Sequence, residues 1–245
     1  MKNLICGHIY QLKKDRFFLG CLAFALVFLG ISIRFASLGS GTVTGTGLEN
    51  MFRTFLNGDM VLYAFMLLTA NMIAEAYRSG TIKNIVGRGI NKKSYYFSII
   101  ITISVAYLLV MLVCGIIMGS ISFVQSGMGS ISYPGYYALS IVARAFFTLT
   151  YVSFATTMTI LTMNAIAGFI MGLLLPYVPR VLESFFGFLR IRISFDFMNI
   201  SSHMPSLYEA SNDLSPFFPC IVILAVYFAL SALIGIYWLR HQDIK

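Results

Sequence analysis

The sequence predicts an all-α membrane protein with six transmembrane helices, and three observations carry that reading. Of its 245 residues, 58% are hydrophobic and only 11% are charged. A soluble globular chain carries about 25% charged residues, so a chain this poor in charge cannot cover itself with polar surface. The charges also fall in clusters, leaving long apolar stretches of roughly the 20 residues that a helix needs to cross a bilayer. Finally, 17 Lys and Arg stand against nine Asp and Glu, a net charge of +8. In a soluble protein such an excess would suggest nucleic acid. In a membrane chain it is first a question of sidedness.

The spans follow from the charges. Residues 3–16 place Ile5, Ile9 and Leu12 on one face, with His8, Gln11 and Lys14 elsewhere, the pattern of an interfacial helix. Span one, about 17–35, is uncharged between Arg16 and Arg34, and it exceeds the apolar core of a signal peptide, with no A-x-A site after it. Span two, about 59–77, is bounded by Asp59 and Glu75; fifteen residues between them reach only about 22 Å, so its helix must continue beyond them. Span three is 94–118. The Gly-, Ser- and Pro-rich run Gly119 to Gly135 reads as a loop. Span four, 137–163, ends at a tight turn marked by Asn164. Span five, 165–182, is interrupted by Pro176 and Pro179, each of which removes an amide donor. Span six, 216–239, is uncharged between Asp213 and Arg240.

With six spans both termini lie on one side, together with the segment 78–93. That side holds Lys2, Lys13, Lys14, Arg16, Arg78, Lys83, Arg88, Lys92, Lys93, Arg240 and Lys245. The other side holds Arg34, Arg53, Arg144, Arg180, Arg190 and Arg192, offset by Glu49, Asp59, Glu183, Asp196, Glu209 and Asp213. The whole net charge thus falls on the first side, which the positive-inside rule makes cytoplasmic. It is a topology signal, meeting anionic headgroups and cytoplasmic partners, and it names no nucleic acid. Cys6, Cys21, Cys114 and Cys220 read as small apolar packers, since none pairs naturally outside the cell.

The catalytic inventory is thin. His8, His203 and His241 are scattered, and neither H-E-x-x-H nor G-x-x-x-x-G-K-[ST] occurs, so the chain has no P-loop for ATP and no zincin site. Neither an enzyme nor a metal centre is expected. Arg144 is the one ionisable residue clearly inside a span, with Asp59 and Glu75 near span ends. Its first reading is snorkelling to the outer headgroups; its second is a polar group facing a translocation path. Span four also carries Thr148, Ser153 and Thr156 among many hydroxyls. Some will bond back to carbonyls one turn earlier, and the rest should face protein or a cavity. Two G-x-x-x-G pairs, Gly115 with Gly119 and Gly168 with Gly172, allow close helix contact, more plausibly within the chain than in a dimer.

Between spans two and three, EAYRSGTIKNIVGRGINKKSYYFS places a glycine break at Gly80, a short helix from Thr81, and a second break at Gly87 and Gly89. Physical reasoning alone leaves two readings: an ordinary positive loop, or a short surface helix that docks on another protein. The segment resembles the ABC-2 type permease subunits of bacterial ATP-binding-cassette exporters, in which an acidic residue ends the second span, a Gly-Thr-x-Lys element forms a coupling helix and a basic residue opens the third. Glu75, Gly80-Thr81-Ile82-Lys83 and Lys92-Lys93 stand at those positions, although Gly89-Ile90-Asn91 replaces the common proline turn. The layout of nearly the whole chain is similar, including a long outer segment, 183–215.

The resemblance implies coupling to an ATPase through Glu75, Arg78, Gly80, Thr81, Lys83 and Arg88. It implies a re-entrant outer plug with Phe185, Phe186, Phe188, Phe195 and Phe197 as its gate, and a pathway for which Arg144, Thr148, Ser153 and Thr156 are candidates. Two permease subunits, identical or siblings, would pair with two separate ATPase subunits that bind ATP and Mg, in the bacterial cytoplasmic membrane. The chain itself would be no enzyme and hold no cofactor. Its cargo would be an amphipathic or antimicrobial peptide or a related hydrophobic antibiotic, as in antibiotic resistance. A second reading is a non-transporting immunity or sensor protein that binds a peptide through the apolar outer segment. A third, a proton-coupled carrier, is disfavoured by the lack of paired ionisable residues within spans.

Overall fold

The computed structural model describes residues 2–37, 46–82, 91–129, 133–188, 214–215 and 217–241. Among them every element is helical. Six stretches are long and apolar enough to cross a membrane: Arg16–Ile33, Gly47–Arg78, Lys92–Ser126, Pro134–Thr162, Ala165–Phe186 and Phe217–His241. This is the composition of a multi-pass membrane protein, compatible with the expected architecture.

Helix α1, Lys2–Lys14, leads into α2, Arg16–Ser37, through Asp15, whose carboxylate accepts from the Phe17 amide at 2.8 Å. In α1, Leu12 and His8 are buried against the bundle, the His8 ring tilted against that of Tyr95 at 5.7 Å, while Ile9 is exposed.

The apolar stretch Gly47–Arg78 consists of two helices. A short helix, α3, Gly47–Leu56, opens with a capping box: the Thr46 hydroxyl accepts from the Glu49 amide, and the Glu49 carboxylate from the Thr46 amide. Asn57 closes α3, and α4 runs Asp59–Arg78. The break is built in. The Tyr107 hydroxyl donates to the Gly58 carbonyl at 3.0 Å, and a Cβ on Gly58 would lie 2.3 Å from the Met111 methyl. Asp59 is the first residue of α4, where the charge pattern opens span two, and α3 stands ahead of it.

Helix α5, Lys92–Ser126, starts at Asn91, whose side chain accepts from the Lys93 amide, and ends at Gly127 in a left-handed conformation. The expected loop from Gly119 is helical for two more turns. Its serines do not break the helix because Ser120 and Ser122 donate to the carbonyls of Ile116 and Met118. Its glycines receive α3: a Cβ on Gly115 would sit 2.8 Å from the Met51 carbonyl oxygen, and one on Gly119 3.0 Å from that of Gly47.

Helix α6, Pro134–Thr162, carries proline in its first turn, where no amide donor is needed. It stops at Met163 with φ 51°, and the Asn164 side chain caps α7, Ala165–Leu174, by accepting from Ile166 and Ala167. This is the turn expected at Asn164. A 3-10 turn, Leu175–Tyr177, absorbs Pro176, and α8, Val178–Phe188, continues the span. Pro179 sits in the first turn of α8 and costs it nothing, so the helix runs past the expected boundary at 182. The second glycine pair seats α7 on α6, with Gly168 against Thr159 and Gly172 against the Ala155 backbone. Both pairs serve contacts within the chain.

The final helix, α9, Phe217–His241, packs chiefly along α6. At its C-terminal end the Lys92 ammonium donates to the carbonyls of Leu239 and Arg240 at 2.8 and 3.4 Å. That contact, with His8 on Tyr95, gathers α1, the last turns of α4, the start of α5 and the end of α9 at one end of the bundle, called the base below. Cys21, Cys114 and Cys220 are buried, as packers should be, and Cys6 is exposed.

Candidate functional site

Two places collect chemistry. The first is the break in span two. Asp59 opens α4, and Arg144 reaches it from the third turn of α6; one guanidinium nitrogen donates to the Asp59 carboxylate and the other to the Tyr107 hydroxyl. The Arg144 side chain is 2% exposed and that of Asp59 is 52% exposed. The guanidinium also stacks near Phe147, 5.1 Å from its ring centre, and near Tyr107. Its Nε has no acceptor among the described residues. Snorkelling is thereby overturned: the arginine turns inward, because a paired carboxylate and a phenol satisfy its charge more completely than the length of its stem could by reaching headgroups.

Asp59 and Arg144 thus form an ion pair that joins the start of α4 to α6.

Tyr63, on the second turn of α4, lies near Tyr177 in the 3-10 turn of span five, and Asp59 lies close enough to act electrostatically on Tyr63 and Tyr151.

The other pathway candidates, Thr148, Ser153 and Thr156, are all buried. Thr148 donates to the Arg144 carbonyl and Thr156 to that of Val152, so both hydroxyls are spent on their own helix. Ser153 is different. It joins Tyr96, Thr157 and Ser231 in a closed hydroxyl network tying α5, α6 and α9, with every contact between 2.9 and 3.1 Å. Gly235 admits this network, since a Cβ there would meet the Tyr96 ring at 2.7 Å.

The second place is the base. Glu75 and Arg78 are exposed on the last turns of α4. Gly80 follows with φ 68°, a left-handed turn that glycine adopts without strain. The Ser79 and Thr81 hydroxyls then pair at 2.7 Å, and Ile82 returns to the core. Between this turn and α1 lies a pocket of about 230 Å³ whose wall includes His8, Gln11, Glu75, Ser79, Thr81 and Tyr95. Burial pushes the His8 imidazole below its ordinary value, while a hydrogen bond with Gln11 pulls the other way. Lys83 and Arg88 lie outside the described residues. Lys92, the basic residue that opens α5, caps α9, and Lys93 is exposed.

Of the proposed gate, Phe185, Phe186 and Phe188 fall on α8 as a continuation of span five, and Phe195 and Phe197 lie outside the described residues. Phe185 and Phe186 contact edge to face, and Phe188 is 85% exposed. Among the described residues no three His, Cys, Asp or Glu side chains group as metal ligands would.

Sequence reasoning missed α3 and the partner of Arg144. The first had a signal in Thr46-x-x-Glu49 ahead of Leu48, Met51, Phe52 and Phe55, a capping box before an amphipathic turn. The second had none, as 85 residues separate the two charges. A family model described as protein of unknown function (DUF2705) matches residues 10–245. Comparison with curated proteins gives no match.

Proposed function

We propose, from the premise that the chain belongs to the DUF2705 family, that it is the transmembrane permease subunit of an ATP-driven bacterial exporter. The observation that carries this reading is the construction of the base. Helix α4 leaves the bundle with Glu75 and Arg78 exposed, turns at Gly80 and is re-anchored through Ile82 beside α1. A lever held at both ends, with charges outward, suits a separate protein that pushes on it. The resemblance to ABC-2 permeases supplies the identity of that protein: a pair of ATPase subunits carrying ATP and Mg. Two permease chains, identical or siblings, would form the pathway in the cytoplasmic membrane with both termini inside, and the cargo would be an amphipathic or antimicrobial peptide or a hydrophobic antibiotic.

Co-expression with an ATPase encoded beside it is expected to give a stable complex whose hydrolysis is stimulated by cargo. In that complex Glu75→Gln and Arg78→Gln should lower cargo-stimulated hydrolysis at least fivefold without changing the yield of inserted protein. No association with any adjacent ATPase, or full coupling in both variants, would sink the proposal.

The exposed aromatic rings of Phe185 and Phe188 favour a second reading, a membrane immunity or sensor protein that binds a peptide without moving it. Protection of cells that survives a hydrolysis-dead ATPase partner would select this one.

A further inference from the structure

The pocket at the base lies where the helices leave the membrane. The second candidate span ends at Arg78 and the third begins at Lys92, so Ser79 and Thr81, with Glu75 and Tyr95 within one turn of those ends, stand at headgroup level. The wall changes character with depth. Glu75, Ser79 and Thr81, with His8 and Gln11 of α1, make its outer part polar. One turn further into the bundle, about 5 Å at 1.5 Å per residue, Met72 and Ile99 form an apolar floor and are almost completely buried.

Electrostatics select the guest. Among the described residues no Lys or Arg lines the pocket, and no basic side chain pairs with the Glu75 carboxylate. Burial holds the His8 imidazole neutral, so it adds no positive charge. Its Nε2 is buried without a hydrogen-bond partner among the described residues, a cost that folded chains ordinarily avoid. Gly80, at φ 68°, folds the chain back so that the Ser79 and Thr81 hydroxyls meet at 2.7 Å. That contact occupies one hydroxyl proton and leaves further lone pairs free to accept. A volume of about 230 Å³ holds about eight waters at about 30 Å³ each, room for a headgroup-sized fragment and too little for a drug-sized molecule.

We propose that this pocket binds a primary ammonium on a short stem, the end group of a phosphatidylethanolamine headgroup or of a free amine. The N–H groups meet the Glu75 carboxylate and the Ser79 and Thr81 oxygens, the first methylenes lie along Met72 and Ala76, and the rest of the guest leaves through the mouth. A quaternary ammonium has no N–H for these acceptors, and a single tyrosine in the wall is no aromatic cage. One carboxylate above an apolar floor supplies too few oxygens for a dehydrated divalent ion. The inference goes beyond the exporter reading: binding is a property of this chain alone, although Glu75 would serve both.

The test is native mass spectrometry of the full chain, delipidated in dodecylmaltoside and given dioleoylphosphatidylethanolamine or dioleoylphosphatidylcholine at equal concentration. These lipids differ only in the methyl groups on nitrogen, and the ethanolamine adduct is expected to exceed the choline adduct at least fivefold. The chain-free heads, glycerophosphoethanolamine against glycerophosphocholine, identify the source. Preference within the lipid pair alone supports a guest from the membrane, and preference between the heads supports one from solution. Glu75→Gln should bring the ratio to about one, and Ser79→Ala with Thr81→Val should lower it about threefold, each checked for wild-type melting. No ethanolamine preference in either pair, or a wild-type ratio in folded Glu75→Gln, would overturn the proposal. Should Glu75→Gln fail to fold, the double variant decides. Arg78→Gln, outside the pocket wall, should keep the wild-type ratio while it uncouples an ATPase, so the two readings fail separately.

Discussion

The two ends of α4 carry the same chemistry in opposite settings. At its first turn Asp59 meets an arginine that arrives from 85 residues away and is sealed from solvent; at its last turns Glu75 and Arg78 stand exposed. Asp59 at the N-terminus and Arg78 at the C-terminus both suit the helix dipole, although Glu75 does not, so the dipole alone does not separate the ends. Burial does. At the break the pair is part of the packing, and removing one partner leaves a charge with nowhere to go, whereas at the base a charge can be lost with little consequence for folding and so remains free for another protein.

The sharpest way to break this contrast is Arg144→Met. It leaves the half-exposed Asp59 and the Tyr107 hydroxyl without their charged partner and should cost about 2–3 kcal/mol, read as a fall in the melting point in detergent; adding Asp59→Asn should recover part of the loss. If Arg144→Met melts like wild type, the ion pair is not part of the packing. Next comes Gly172→Leu. The Cβ alone would lie 2.9 Å from the Ala155 Cα, so α7 must lift from α6, at about 1–3 kcal/mol. A cysteine cross-link between those helices that persists unchanged in the variant would refute the close contact. Smaller again is Tyr96→Phe, which removes one member of a network whose remaining hydroxyls can still pair; about 0.6–1 kcal/mol is expected from the same melt.

The smallest effect belongs to the base. His8 is held in its neutral form by burial, so the unfolded or undocked chain binds a proton more readily than the docked one. Docking of α1 is then at full strength above about pH 6.5 and weakens as pH falls from there toward the lowered value in the folded chain. Glu75 in the same pocket and Lys14 on the same helix are the charges a protonated ring would meet. Proteolysis of α1 that rises between pH 7 and 5.5, and no longer does so in His8→Phe, would match; equal sensitivity in both would not.

Much of the architecture was legible. Long uncharged runs give helices whatever their neighbours do, and Asn164 and the two glycine pairs state their roles locally. The boundaries failed where tertiary contacts override composition. Gly119 and Ser120 read as loop until α3 is known to pack there, and span five reads as ending at 182 until Pro179 is known to sit in the first turn of α8. The site was half legible for the same reason: Arg144 could be singled out from its depth, but the direction it faces depends on a break that only Tyr107 and Met111 reveal.

The bridge from Lys92 to the end of α9 has a consequence for how the molecule is made. Its donor and acceptor are 147 residues apart. At 5–20 residues per second the lysine waits roughly 7 to 30 s for its partner to be synthesised. Over the same interval Ser153 and Thr157 lack Ser231, and Thr150 has only its own helix's carbonyl. The last helix is therefore the closing piece of assembly. A chain cut before residue 217 would insert its earlier spans and present quality-control proteases with an unlatched base and a row of unmatched hydroxyls.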